Sequence, residues 1–136
     1  MRLAANGPVA VIEGGSESAV QQAIRLDESK KGNRLWRNNN GACMDAKTGR
    51  QIRYGLANDS AKMNKHIKSS DLIGITPVTV GGKTFGVFTS IECKRAGWRY
   101  TGTPREKAQL AWIELVTSMG GIGRFATGPG QEVKCG

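Results

Sequence analysis

The chain of 136 residues has the length of one ordinary domain and is long enough to bury a hydrophobic core. Its hydrophobic fraction of 38% is too high for a disordered tail, and no apolar run approaches the roughly 20 residues that cross a bilayer. Lys and Arg total 20 against 11 Asp and Glu, which gives a net charge of +9 and favours a polyanionic partner. No basic amphipathic helix stands out, so nucleic acid is favoured over an acidic membrane surface.

The N-terminal region and the cysteines indicate the compartment. The apolar patch at residues 9–12 is shorter than the core of a signal peptide, so a cytoplasmic location is expected. The three cysteines, Cys43, Cys93 and Cys135, are odd in number and lack C-x-x-C spacing. This pattern argues against both a disulfide framework and a structural zinc site, and it predicts free thiols.

The first half of the chain predicts one helix and two short strands. After a loosely attached lead-in over residues 1–15, with one short strand at most, Ser16 is a good N-cap and Glu17 suits the first turn of a helix. This helix is expected to end near residues 29–32, with Glu28 off the buried stripe that consists of Val20, Ala23, Ile24 and Leu26. Strands are predicted at residues 34–38 and 51–54, the first ended by the turn signal Asn38-Asn39-Asn40-Gly41, and a Lys-rich loop at residues 58–70.

Two β-rich runs flank Gly81-Gly82 and predict a hairpin, because glycine readily adopts the positive φ of tight hairpin turns. The first run extends from Asp71 to Val80 and the second from Lys83 to Lys94.

Residues 103–121 carry the start and stop signals of a last helix. Thr103 is its predicted N-cap, Pro104 its first residue and Glu106 the partner in a capping box. The helix is expected to run to Met119 and stop at Gly120-Gly121, with a buried stripe that consists of Ala108, Ala111, Trp112, Leu115 and Met119.

A final edge strand is predicted at residues 122–126, followed by a loose Gly/Pro-rich tail over residues 127–136. No repeat or linker divides the chain. We therefore predict a single domain with its core at about residues 16–126.

The hairpin register predicts a cluster of charged groups at its open end. Strand alternation sets Glu92 and Lys94 on one face, and the two-glycine turn sets Asp71 opposite Glu92. Opposed carboxylates destabilise a sheet unless something neutralises them. Pro77 leaves one alternative open, since a bulge there would shift this register.

A hard divalent cation would neutralise the two carboxylates. Mg²⁺ prefers oxygen ligands, whereas a single histidine, His66, makes a zinc-centred site unlikely. Such a cation suits phosphodiester hydrolysis, with Lys94 to orient the attacking water and stabilise negative charge. The alternative is that Lys94 only neutralises the carboxylates at the end of the sheet.

In sequence order, these residues resemble a known family. Ser70-Asp71 followed by Ile91-Glu92-Cys93-Lys94 resembles the PD-(D/E)XK nuclease signature, with serine in place of the usual proline. Together with the flanking sequence they are similar to the small, phage-like form of the virus-type replication-repair nuclease (VRR-NUC) domain, over roughly residues 16–126. The flanking motifs that carry this similarity are Glu17 with Gln21 or Gln22, Ile24-Arg25, Leu35-Trp36-Arg37-Asn38-Asn39, Leu72-Ile73-Gly74, Arg95 and Gln109-x-x-Trp112.

The resemblance implies a restriction-endonuclease-like α/β fold, with a central mixed sheet flanked by helices. Asp71, Glu92 and the Cys93 main-chain carbonyl would bind Mg²⁺, for which Mn²⁺ would substitute, and Lys94 would be the catalytic lysine. Glu17 would contact the metal through water or hold the site, and Gln109 would support the lysine or the phosphate, unless it is a solvated helix position. The candidate DNA contacts are Arg37, Asn38, Asn39, Arg95 and Arg105, whereas Trp36 and Trp112 are expected in the core.

The resemblance also implies a substrate and an assembly. Small members resemble homodimers that cut four-way (Holliday) junctions, which predicts a structure-selective endonuclease for branched DNA in a bacterial or phage-infected cell. The alternatives are a non-catalytic nucleic-acid-binding module, a flap nuclease, and a toxin-like or RNA-directed nuclease with the same site.

Overall fold

A computed structural model describes residues 15–133 of the chain. The lead-in over residues 1–14, with its predicted short strand, and Cys135 lie outside the described residues. The elements, in chain order, are α1 (Glu17–Lys30), β1 (Arg34–Arg37), β2 (Gly41–Met44), β3 (Gln51–Tyr54), α2 (Ala61–His66), β4 (Leu72–Val80), β5 (Lys83–Cys93), α3 (Pro104–Ser118), β6 (Ile122–Gly128) and β7 (Gln131–Val133).

Five of the strands form one mixed sheet in the order β1-β4-β5-β6-β7. Neighbours are antiparallel except β5 and β6, which are parallel and are connected through α3. Val20 and Ile24 of α1 pack with Ile91 and Cys93 on one face, and Trp112 of α3 lies on the other, where its ring nitrogen donates to Ser90 Oγ at 2.9 Å. The predicted α/β class with a mixed central sheet flanked by helices is confirmed.

Helix α1 begins and ends where the sequence predicts. Ser16 accepts a hydrogen bond from Ala19 N, and the helix ends at Lys30. The prediction for Glu28 was wrong, because its side chain is buried. Burial is tolerated since Asn33 donates to one carboxylate oxygen at 2.9 Å, while Lys31 lies 3.3 Å from the other.

Helix α3 has the predicted capping box between Thr103 and Glu106, with Pro104 in its first turn. Of the predicted buried stripe, Ala108 and Trp112 are buried and Ala111 is half-buried, but Leu115 is 43% exposed and Met119 is 80% exposed. The remaining buried positions on the face that meets the sheet are Glu106, Gln109, Ile113 and Val116. The sheet therefore contacts a face of α3 rotated away from the most apolar one.

The β4–β5 hairpin has the predicted register. Val80 pairs with Lys83, and the pairing runs without a shift through Pro77 to Leu72 opposite Ile91. Gly81 and Gly82 have φ values of 58° and 78°, the left-handed conformation that favours glycine in this turn. Because no bulge intervenes, Asp71 leads into β4 directly opposite Glu92.

The segment between β1 and β4 is more structured than its polar sequence indicates. The strand at Gln51–Tyr54 was predicted, but it pairs with β2, which was not, and the predicted loop contains helix α2. Asn38 fastens this segment to the sheet: its amide nitrogen donates to Ser69 Oγ and Ser70 O, both at 2.8 Å. Hydrogen-bonded buried amides therefore help to hold this segment, residues 39–70 and called the insertion below, in place, and Ala57 and Ile67 also pack against the cluster around Trp112.

The C-terminal prediction was wrong in two respects. Strand β6 is not at the edge, because β7 pairs with it, and Thr127 is buried rather than part of a loose tail. Gly130 has a φ of 69°, so the Gly/Pro-rich sequence forms a tight turn that returns the chain along β6.

Candidate active site

Asp71 and Glu92 meet at the open end of the β4–β5 hairpin. Cys93 N donates to Asp71 Oδ2 at 3.0 Å, which fixes the Asp71 carboxylate beside β5. Burial raises the pKa of Glu92 well above its usual range, and the neighbouring Asp71 carboxylate raises it further. Two acidic groups in this arrangement favour the binding of a proton or a cation between them.

Lys94 lies beside these carboxylates and is itself buried. Its Nζ donates to Gln109 Oε1 at 2.7 Å and lies 4.0 Å from Glu92 Oε2. The same nitrogen lies 5.1 Å from the centre of the Trp98 ring, within the range of a cation–π contact. Gln109, Glu92 and Trp98 thus compensate the Lys94 ammonium for the hydration that it loses on burial.

Gln109 connects the amine to the acid. Besides accepting from Lys94, it donates from Nε2 to Glu92 Oε2 at 3.3 Å, and only 3% of the residue is exposed. The alternative that Gln109 is a solvated helix position was therefore wrong.

The cluster opens into a cleft of about 600 Å³. Asp71, Glu92 and Gln109 line it together with Gln21 of α1 and several residues of the insertion. The other lining residues are Asn38, Asn39, Asn40, Gly41, Ala42, Arg53, Tyr54, Asn58, Asn64, Lys68, Ser69 and Arg105. Asp71 and Glu92 therefore face a cleft lined mainly by polar side chains.

Three cations surround this cleft. Partial burial lowers the pKa of Lys68, and the positive charges of Arg105 and Arg53 lower it further. Asn58 holds the Arg53 guanidinium, with its Oδ1 2.8 Å from Nη2 and 3.1 Å from Nε. A cleft lined by both acids and cations is suited to a phosphate bridged to a metal ion.

The other predicted site residues divide into those at the cleft and those outside it. Asn39 and Arg105 line the cleft, whereas the exposed residues Arg37 and Arg95 are not among its lining residues. Asn38 lines the cleft as well, although its side chain is buried and bonded to Ser69, Ser70 and the amide of Leu56.

Glu17 lies exposed at the start of α1. Burial is the main cause that raises the pKa of the Cys93 thiol. The negative charges of Asp71 and Glu92 raise this pKa further, and Glu17 adds a smaller increase. Its carboxylate therefore acts electrostatically on the strand that carries Glu92, with a smaller effect than that of Asp71.

The sequence did not single out the insertion as part of the site. Arg53 and Lys68 line the cleft, as does Tyr54. The one available signal was the alternation of polar and apolar residues in β3, where Gln51 and Arg53 alternate with Ile52 and Tyr54. That signal locates a strand but does not say which surface the strand meets.

The oxygen donors fit a hard cation better than a soft one. Within residues 15–133 no group of three or more His, Cys, Asp and Glu side chains is arranged to hold a metal. An ion held by Asp71 and Glu92 would therefore depend on further oxygens from main chain, water or substrate, which is the usual arrangement for Mg²⁺.

The fold and the site define a mixed α/β domain with two carboxylates, one lysine and one glutamine clustered beside a cleft that Arg53, Lys68 and Arg105 line. Comparison with protein-family models, curated proteins and solved structures finds no match to the chain. None of the helices within residues 15–133 combines the length and apolar character needed to cross a membrane.

Proposed function

We propose that this protein is a metal-dependent, structure-selective DNA endonuclease that hydrolyses phosphodiester bonds in branched DNA such as four-way junctions. The observation that carries the proposal is the convergence of Asp71, Glu92 and Lys94 beside a cleft surrounded by cations. The mixed sheet flanked by helices is compatible with the restriction-endonuclease-like fold and the VRR-NUC family that the sequence resembles.

In this proposal Asp71 and Glu92 hold Mg²⁺ or Mn²⁺, with the Cys93 carbonyl as a third protein ligand and Glu17 acting through water. When bound, the metal polarises the phosphate and lowers the pKa of the attacking water. Lys94 orients that water and stabilises the charge that develops on phosphorus-bound oxygen. Gln109 is a positioning residue, since it holds the Lys94 ammonium and Glu92 at once.

The cationic side chains that line the cleft contact DNA rather than the metal. Arg53, Lys68 and Arg105 bind and orient the DNA backbone in the cleft, a contact that carries affinity but little sequence information. Arg37, Asn39 and Arg95 remain candidate backbone contacts. A homodimer would present two such clefts and thereby allow paired cuts across a junction.

A non-catalytic nucleic-acid-binding module is the second candidate. It is favoured by the absence of a three-side-chain metal group within residues 15–133 and by the buried Lys94–Glu92 pair, which neutralises one acid without a metal. Binding of DNA without hydrolysis is its signature.

The deciding experiment incubates purified protein with labelled four-way junction, flap, duplex and single-stranded DNA, in Mg²⁺, in Mn²⁺ and in EDTA. Cleavage only with metal, strongest on branched DNA, is expected. Lys94→Ala should abolish it while binding survives, and Lys83→Ala, an exposed lysine at the hairpin turn, is the matched control. If the protein binds these DNA substrates but cleaves none of them in Mg²⁺ or in Mn²⁺, it is the non-catalytic nucleic-acid-binding module.

A further inference from the structure

The chain that follows β5 turns back towards Lys94. Lys94 N still donates to Ala126 O of β6 at 2.9 Å, and a turn begins at the next residue. Trp98 N donates to Arg95 O at 3.1 Å, which closes this four-residue turn. The turn brings the Trp98 ring over Lys94, whose Nζ lies 5.1 Å from the ring centre.

Trp98 is held in this position by two contacts. Its ring stacks on Phe125 of β6, with the centroids 5.0 Å apart and the planes at 30°. Its ring nitrogen donates to Glu106 Oε2 at 3.0 Å. Glu106 is buried and also accepts from the main-chain N–H groups of Thr101 and Thr103, so it is itself fixed at the start of α3. A stacked ring with an anchored N–H leaves the indole little freedom to rotate.

Helix α3 supplies an anchor for Trp98 and another for Lys94. Glu106 holds the Trp98 ring nitrogen. Gln109, three residues later on the same buried face of the helix, accepts from Lys94 Nζ at 2.7 Å. The ammonium therefore contacts an indole and an amide that one helix positions, and its place in the site depends on the first turns of α3.

Trp98 does not belong to the surface that would contact DNA. The other two partners of Lys94 Nζ, Glu92 and Gln109, line the cleft, whereas Trp98 is not among the lining residues. The face of an aromatic ring attracts a cation most strongly where water is excluded, and Lys94 is only 6% exposed. Trp98 is thus placed to act on the ammonium and not on the substrate.

We propose that Trp98 is a positioning residue that keeps the Lys94 ammonium beside Glu92, and that Glu106 holds Trp98 in place for this role. The ring replaces part of the hydration that the ammonium has lost and restricts its motion, which matters because a small displacement of a catalytic group slows a reaction. The inference rests on the proposed nuclease function, which gives Lys94 its task. The contact between Trp98 and Lys94 requires neither metal nor DNA.

The first test separates the ring face from apolar packing. Trp98→Leu keeps an apolar side chain but removes the aromatic ring, whereas Trp98→Phe keeps a ring face and loses the N–H that Glu106 binds. In junction cleavage with Mg²⁺, kcat should fall about tenfold in Trp98→Leu, the factor for loss of one partly desolvated cation–π contact. In Trp98→Phe it should fall less than about threefold, and KM should change less than about twofold in both variants.

Phe88→Leu is the matched control. Phe88 is also an aromatic residue on the α3 side of the sheet, where its ring packs edge-on against Trp112 with the centroids 6.4 Å apart. It lies six residues before Lys94, roughly 20 Å away along the direction of β5. This substitution removes an aromatic contact with α3 at a distance from the ammonium, so kcat should change less than about twofold. Thermal melts check that each variant is folded.

A second test needs neither DNA nor metal. Amines are labelled with an N-hydroxysuccinimide ester in EDTA, and labelling of the peptide that contains Lys94 is quantified by mass spectrometry. Lys94 should react about tenfold faster in Trp98→Leu than in wild type, because loss of the ring face releases the ammonium. Its labelling rate should be nearly unchanged in Trp98→Phe and Phe88→Leu. Exposed Lys83 should react at the same rate in every variant and is the internal standard.

Unchanged kcat in Trp98→Leu would overturn the proposal whatever the labelling rate, and so would equal losses of kcat in Trp98→Leu and Phe88→Leu. A rise in KM at constant kcat would also overturn it and would assign Trp98 to a DNA contact. The two proposals fail separately. If wild type cleaves no DNA in either metal, the nuclease function fails, and the labelling rate still decides whether Trp98 holds Lys94. If wild type cleaves and Trp98→Leu cleaves equally well, only the positioning role fails.

Discussion

Lys94 Nζ donates a hydrogen bond of 2.7 Å to Gln109 Oε1, and this contact joins the end of β5 to the second turn of α3. Since Gln109 also donates to Glu92, one amide fixes both the amine and an acid. The positions of the Lys94 amine and the Glu92 carboxylate thus depend on α3, which lies outside the β4–β5 hairpin.

Removing that amide should slow the reaction without weakening DNA binding. In Gln109→Ala the ammonium loses its acceptor, so kcat should fall about 10- to 100-fold while KM changes less than about threefold, in keeping with the effect of losing outer partners at a metal site. Cleavage kinetics on a junction with Mg²⁺ give both constants. Because both residues act through the same ammonium, Lys94→Ala/Gln109→Ala should be no slower than Lys94→Ala; additive losses would contradict this account.

Relief of the carboxylate pair should stabilise the metal-free protein. In Asp71→Asn the neutral side chain can still accept from Cys93 N, but its repulsion of Glu92 is gone. We expect unfolding in EDTA to require about 1 kcal/mol more free energy than in wild type, measured by urea denaturation. Mg²⁺ should raise the melting temperature of wild type and not of this variant. Stabilisation of both by Mg²⁺ would place the ion elsewhere.

Glu106 should contribute stability that is lost in acid. Partial burial tends to raise the pKa of Glu106, but hydrogen bonds from the Thr103 and Thr101 amides, the Thr101 hydroxyl and the Trp98 ring nitrogen outweigh it and lower the pKa to about 2 from 4.5. A lowered pKa means that the contribution is complete above about pH 4.5 and disappears as pH falls towards 2.

Glu106→Gln should therefore cost about 2 kcal/mol at pH 7, the range for a hydrogen bond to a charged group. The difference from wild type should shrink between pH 4.5 and pH 2, as followed by urea denaturation at each pH. Glu114→Gln, an exposed position on the same helix, is the control. A difference that is constant with pH would show that the charge of Glu106 does not stabilise the helix.

Ser70 stands at the position of the usual proline in the nuclease signature that the sequence resembles, and its fully buried hydroxyl has no hydrogen-bond partner within residues 15–133. Burial of an unsatisfied hydroxyl is unfavourable, so Ser70→Ala should stabilise the protein by about 1 kcal/mol. Denaturant unfolding measures this change. Ser69→Ala is the matched comparison and should destabilise, because Ser69 Oγ donates to Leu56 O at 2.6 Å and accepts from Asn38 at 2.8 Å. Destabilisation by Ser70→Ala would show that its hydroxyl has a partner in solution.

Features governed by near neighbours in the chain could be predicted from the sequence alone. The caps of α1 and α3 follow from Ser16 and Thr103, and the hairpin register follows from Gly81-Gly82. Strand alternation and that register together bring Asp71, Glu92 and Lys94 to one place. Each of these results depends on backbone preferences and periodicity over a few residues.

Only the tertiary structure decided which surfaces meet. It buried Gln109 and left Leu115 exposed, because the sheet contacts one particular face of α3. It also brought Arg53 and Lys68 to the cleft, and it left Trp36 half-exposed on β1, the outer strand of the described sheet. Burial depends on the packing of segments distant in the chain, and no pattern within a single helix or strand specifies the partner that will cover it.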